Sequence, residues 1–185
     1  MSYIDLPDNY PGIRSLMMYR PETAEPLNHL AQTLLRGESS LTPGERETIA
    51  SYVSQLNGCK YCSETHGAIA RHLLGEQSAT VQEVWKDIDT ASVSDKMKAL
   101  LHIAALVQNS GKKVKKHDIE KAKEAGAEDQ EIHDTVLIAA AFCMFNRYVD
   151  GLGTWAPDDD ELYDRIGKQR AEEGYMTKPF SVDRE

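Results

Sequence analysis

The chain has 185 residues, 41% hydrophobic and 28% charged, which is enough apolar content for one domain-sized core and too much for a disordered chain. Lys and Arg number 21 against 30 Asp and Glu, so a formal charge of -9 opposes nonspecific binding to nucleic acid or an anionic bilayer and favours small solutes or other proteins as partners. Three cysteines are too few, and odd in number, for a disulfide-stapled secreted scaffold, yet two of them, Cys59 and Cys62, form a C-x-x-C.

In chain order, the opening segment carries acidic residues and prolines and has no apolar run, so it reads neither as a signal peptide nor as an Arg-rich transit peptide, and a cytoplasmic address is expected. Residues up to about 20 form a poorly periodic arm with an apolar cluster, Leu16, Met17, Met18 and Tyr19, suited to wrapping a neighbouring subunit. Leu27, Leu30, Ala31 and Leu34 follow at helical spacing between Pro21 and Gly37, and Pro26 is expected to delay the regular start. Thr42, Pro43 and Glu45 are a cap, a first-turn proline and a reciprocal capping glutamate for a helix through Ile49, Ala50, Val53 and Leu56, which Asn57 and Gly58 close. A third helix begins at or near the cysteines and continues through His66, Ile69 and Leu73 to Gly75.

Thr80 with Glu83 predicts a capping box for a short helix in which Trp85 packs. Ser92 or Ser94 caps a longer one through Met97, Leu100, Leu101 and Ala104. After the solvated cluster Lys112, Lys113, Lys115 and Lys116, short helical residues 118–125 precede the most apolar helix, residues 130–149, and a last helix runs from Asp159 to about Glu173. The longest apolar run, residues 136–145, is far short of the roughly 20 residues that cross a bilayer, so no membrane span is expected. No segment alternates long enough to demand a sheet. The expectation is a compact all-α, multi-helix single domain over residues 1–185, with a tail from about residue 175.

Cys59 and Cys62 at i and i+3 can form a disulfide with modest rearrangement, and the helix start favours a thiolate. His66, one turn beyond Cys62, can exchange a proton with that thiol, and an antiparallel return through Asn57 and Gly58 brings Glu47 alongside. The helix dipole favours Cys59 as the more acidic thiol, while His66 favours Cys62, and the imidazole is the closer and more directional partner. The residues alone also fit a pair of core cysteines, half of a zinc site, or a disulfide reductase or isomerase. Cys143 lies in the most apolar run and is expected in the core.

The pattern Glu47, Cys59, Cys62, His66, set in ERETIASYVSQLNGCKYCSETH, resembles the alkylhydroperoxidase D-like branch of the carboxymuconolactone decarboxylase family. PGIRSLMMYRP and FNRYVDGLG extend the likeness to uncharacterised peroxidase-related proteins over roughly residues 10–175. The resemblance implies an alkylhydroperoxidase D-like helical fold, assembly as a homo-oligomeric trimer or hexamer, and a thiol peroxidase for small hydroperoxides that an external thiol or dithiol regenerates, with no cofactor or metal. Carried over by position, Cys62 attacks the peroxide, Cys59 resolves the sulfenic acid, His66 shuttles the proton and Glu47 is the outer carboxylate. Tyr61 stands where the best-known members have a histidine, replacing part of their relay with a phenol. Asn146 and Arg147, with Asp150, stand in a polar family segment that ties the last long helix to the site or to a partner subunit. A carboxymuconolactone decarboxylase-like enzyme and a non-enzymatic oligomeric protein are the other readings.

Overall fold

A computed structural model describes residues 2–7 and 9–177. The described residues form nine α-helices and no strand: α1 Ile13–Tyr19, α2 Pro21–Arg36, α3 Pro43–Leu56, α4 Lys60–Leu74, α5 Thr80–Lys86, α6 Asp95–Asn109, α7 Lys116–Glu124, α8 Asp129–Gly151 and α9 Asp160–Glu173. None of these helices is long and apolar enough to cross a membrane.

The centre is the antiparallel pair α3 and α4, against which α8, α9 and α6 pack. Helix α3 starts on the expected box, in which Thr42 accepts from the Glu45 amide and the Glu45 carboxylate accepts from the Thr42 amide. Ten of its residues are buried, several of them polar. Two of their hydroxyls are satisfied within the helix, Thr48 donating to the Gly44 carbonyl at 2.8 Å and Ser54 to that of Ala50 at 2.9 Å, and Ser51 donates to the Ser63 carbonyl of α4 at 3.3 Å, so α3 crosses the core without orphaned groups at these positions. Ile49, Leu35, Leu41, Ile69, Leu100, Leu101 and Ile138 are fully enclosed around it, and each such side chain contributes about 1.5–3 kcal/mol by leaving water.

At the end of α3 the chain reverses through Asn57 and Gly58, whose φ of 72° lies in the left-handed region that glycine tolerates. The Cys59 amide then donates to the Ser54 carbonyl at 3.1 Å, and Cys59 becomes the N-cap of α4. On the far side of α4, α9 approaches so closely that a Cβ on Gly167 would lie 2.6 Å from the Ala68 Cβ. Glycine at that position is what lets the two helices touch.

Four expectations change. Residues 13–19 of the arm are a helix, α1, with Arg14, Ser15 and Leu16 buried in the same chain; its two turns are too short to show a period. Pro26 does not delay α2, which runs through it from Pro21, although a proline in the second turn lacks its amide bond and crowds the carbonyl four residues before it. Thr80 is the first residue of α5, whose N-cap Ala79 has no polar side chain to cap with, while Glu83 accepts from the Ser92 amide at 2.7 Å and fastens the following loop. Cys143 is half-buried, with Sγ 3.8 Å from the Gln108 carbonyl oxygen, since its run is long enough to turn one edge outward and expose Leu137 and Met144. The Ser94 cap and the packed Trp85, donating to Ser51 Oγ at 2.8 Å, are as expected, and residues 178–185 of the tail lie outside the described residues.

Candidate active site

Glu47 lies in the middle of buried α3 and His66 one turn beyond Cys62 on α4, so the antiparallel pairing of these helices brings carboxylate and imidazole together across 19 residues of sequence. His66 Nδ1 donates to Glu47 Oε2 at 2.7 Å. The other oxygen, Oε1, accepts from Arg36 Nη1 at 2.7 Å and from the Tyr175 hydroxyl at 2.5 Å. That hydroxyl oxygen is also 3.3 Å from His66 Nδ1. The imidazole stands edge-on to Phe142, centroids 4.6 Å apart, and is stacked on Tyr175 at 6.1 Å, while the Arg36 guanidinium covers the Tyr175 ring at 5.2 Å.

Glu47 has no solvent exposure. Burial alone would raise its pKa, but the charge and hydrogen bond of His66, then the charge of Arg36, reverse this and hold the carboxyl below its ordinary value. It is therefore an anion inside the protein. Tyr175 is pushed well above the usual phenol range by burial and by the Glu47 charge, so it stays a neutral donor.

The two thiols occupy different surroundings. Cys62 lines a cavity of about 70 Å³ together with His66, Tyr61, Thr65, Phe142, Arg14, Arg170 and Tyr175. Cys59 is fully enclosed and does not line that cavity. Its interaction with Cys62 and then burial push the Cys59 thiol far up, so it holds its proton. No disulfide links the pair in this structure. Tyr61 is buried beside Tyr163, ring centroids 6.3 Å apart, and burial raises its phenol. Its ring fills the space over Gly12, where a Cβ would fall 2.0 Å from Tyr61 Cδ1. With φ 56°, Gly12 turns the chain into α1 and sets the ring and the helix against each other.

Of the residues the sequence singles out, Glu47 meets His66, and Cys62 and His66 share the cavity with Tyr61. Asn146 is buried at the α3–α4 corner, accepting from Asn57 Nδ2 at 2.8 Å and donating to Ser54 Oγ at 3.0 Å; it anchors the turn that presents Cys59. Arg147 is exposed and donates to the Cys143 carbonyl of its own helix, so it does not reach the site, because one residue beyond inward-facing Asn146 the helix points outward. Arg36, Tyr175, Arg14 and Arg170 are what the sequence reading missed. Arg36 looks like an ordinary cation in the last turn of α2, and Tyr175 lies beyond the last periodic helix, so neither carries a local signal. Among the described residues, no three His, Cys, Asp or Glu side chains converge as a metal would require.

The sequence pattern of the carboxymuconolactone decarboxylase family matches residues 21–86 and 77–156. The chain belongs to that family. An uncharacterised peroxidase-related protein from Silicibacter sp. TM1040 superposes with a TM-score of 0.77 at 23% identity, covering 88% of this chain and 94% of that one. A structure described as an alkylhydroperoxidase AhpD core, also an uncharacterised peroxidase-related protein, from Ralstonia eutropha JMP134, gives 0.78 at 24% identity over 90% and 96% of the two chains. A protein of unknown function from Agrobacterium tumefaciens gives 0.67 at 18% identity, covering 86% of this chain and all of its own. These likenesses establish the all-α alkylhydroperoxidase D-like fold. No curated protein matches the chain significantly.

Proposed function

We propose that this family member is a thiol peroxidase that reduces small organic hydroperoxides with Cys62 and Cys59. The observation that carries the reading is the asymmetry of the pair: Cys62 opens onto a cavity shared with His66, while Cys59 is sealed and its thiol is pushed up by its neighbour Cys62 and by burial. A nucleophile needs access and a base, whereas a resolving thiol needs only its partner.

With Nδ1 engaged by Glu47, the other ring nitrogen of His66 is the one left to serve the cavity. It takes the Cys62 proton; the thiolate attacks the terminal peroxide oxygen, the O–O bond breaks, and the proton returns through His66 to the departing alkoxide. Cys62 is then a sulfenic acid and the product an alcohol. Cys59 Sγ attacks the Cys62 sulfur, forming a disulfide and releasing the oxygen as water with the Cys59 proton. Two equivalents of an external thiol, or one dithiol, reduce the disulfide and are themselves oxidised to a disulfide. Glu47 fixes the imidazole tautomer and stabilises the imidazolium, and Arg36 and Tyr175 hold Glu47 as an anion while this happens.

The test is a pair of substitutions assayed with cumene hydroperoxide and a dithiol. Cys62→Ser is expected to abolish turnover, and Cys59→Ser to stop after one turnover with a dimedone-trappable sulfenic acid on Cys62. Full activity in both variants contradicts the mechanism.

A further inference from the structure

Helix α4 turns two columns of side chains towards the cavity. Cys62 and His66, four residues apart, form one, and Tyr61, Thr65 and Ile69, at the same spacing, form the other. The first holds the nucleophile and its base; the second sets a phenol beside them. Tyr61 is buried, and its ring is fixed by Gly12, which leaves no room for a Cβ, and by the Tyr163 ring at 6.3 Å. Burial holds the phenol above its ordinary value, and a negative charge on Cys62 works in the same direction, so the hydroxyl keeps its proton when the thiolate forms. Against burial act the charge of Arg14, the Thr65 hydroxyl and the charge of Arg170, all of which favour negative charge on the phenol oxygen. Thr65, one turn along the same column, therefore stands to Tyr61 as a donor, which leaves the phenol its own proton to give. The other phenol of the cavity wall, Tyr175, has already given its proton to Glu47, and His66 Nδ1 is engaged there too.

We propose that Tyr61 donates a hydrogen bond to the departing oxygen of the hydroperoxide, with Thr65 behind it donating to the phenol. The proposal rests on the peroxidase reading and assigns the group that steadies the charge which that reaction creates. As the Cys62 thiolate attacks the terminal oxygen, the O–O bond breaks and its electron pair passes to the alkyl-bearing oxygen; Cys62 is oxidised to the sulfenic acid and the peroxide is reduced to the alcohol. The alkyl-bearing oxygen receives its proton from the His66 imidazolium. Tyr61 holds that oxygen in line with the attacking sulfur and spreads its charge while the proton is in transit, and it ends the step with its own proton in place. A fixed donor aimed at a developing oxyanion in a cavity shielded from water acts more strongly there than in solution. A phenol suits the position because it is too weak an acid to lose its proton to the neighbouring thiolate.

The experiment follows thiol loss by rapid quench in the reduced full chain with two oxidants whose departing groups differ in basicity: cumene hydroperoxide, which expels an alkoxide, and perbenzoic acid, which expels a carboxylate that needs little help to leave. Tyr61→Phe keeps the ring that Gly12 and Tyr163 hold, and is expected to slow cumene hydroperoxide by about a hundredfold, the scale of one oxyanion donor, and perbenzoic acid by far less. Thr65→Val leaves the phenol but removes the donor behind it, and is expected to slow cumene hydroperoxide selectively by about three- to tenfold, the worth of one ordinary hydrogen bond. Melting curves establish that the variants are folded, and Thr65→Val carries the comparison if Tyr61→Phe is not. Equal slowing of both oxidants, or no slowing of either, overturns the role of Tyr61, because a phenol that serves only the thiol or the packing does not distinguish departing groups. A wild type that reacts with neither oxidant overturns the peroxidase reading itself.

Discussion

Helix α3 carries a buried polar network on each side of its midpoint, and the two are built differently. Towards its C-terminal end, Ser54, Asn57, Asn146 and Gln108 form a neutral chain of hydrogen bonds. Two turns earlier, Glu47 joins Arg36, His66 and Tyr175 in a network of full charges. Neutral amides and hydroxyls fix a corner at low desolvation cost, whereas buried ions cost several kcal/mol each before their attraction offsets it, roughly. A corner needs no ions. Charge is retained at the end of α3 that faces His66 and Cys62, where a proton has to move, and is absent from the end that only has to hold the turn before Cys59.

Removing the charge should therefore have the larger effect. Glu47→Gln is expected to lower turnover by about a hundredfold and to destabilise the fold by about 3–5 kcal/mol, because Arg36 loses its buried carboxylate; stopped-flow peroxide assays and urea unfolding measure these. The wild type adds its own sign. The Glu47 carboxyl is held below 4.5 in the folded state, so its contribution is present above that value and lost as pH falls through the folded pKa. Melting temperature against pH should show an acidic fall in the wild type that is reduced in Glu47→Gln. A Glu47→Gln variant as stable and active as wild type, with the same acidic fall in melting temperature, removes the distinction between the two networks.

A smaller effect is expected at the neutral end. Asn146→Ala leaves Asn57 Nδ2 and Ser54 Oγ with one partner fewer, which should cost about 1–3 kcal/mol in urea unfolding. Turnover should fall less than in Glu47→Gln, because the charged network is intact. A greater loss of turnover than in Glu47→Gln would mean that the corner, and not the charge, limits the chemistry.

The charged network was only half legible in the sequence. Cys62 and His66 show through because one helical turn separates them, and Glu47 because a single tight reversal, Asn57 and Gly58, relates its helix to theirs. Arg36 and Tyr175 come from elements whose crossing geometry no spacing encodes, 11 and 128 residues from Glu47. Arg14 was hidden for another reason: α1 is seven residues long and shows no period, so its buried face looked like a loose arm. Asn146 and Arg147 illustrate the limit of reading a polar segment as a unit, since adjacent helical positions point about 100° apart and only one of the two faces inward. The Ser94 cap, the Thr42 and Glu45 box and the start of α4 at Cys59 are all local devices, and these the sequence conveyed fully.

The central claim is that Cys62 and Cys59 act in sequence on a peroxide, and intact mass with thiol counting on the reduced protein, before and after one equivalent of cumene hydroperoxide, tests it most directly. The account predicts the loss of two hydrogen atoms, with no oxygen retained, mapped to a Cys59–Cys62 disulfide while Cys143 stays a thiol. An unchanged mass with both thiols still free, or oxygen added at Cys143 alone, would contradict it.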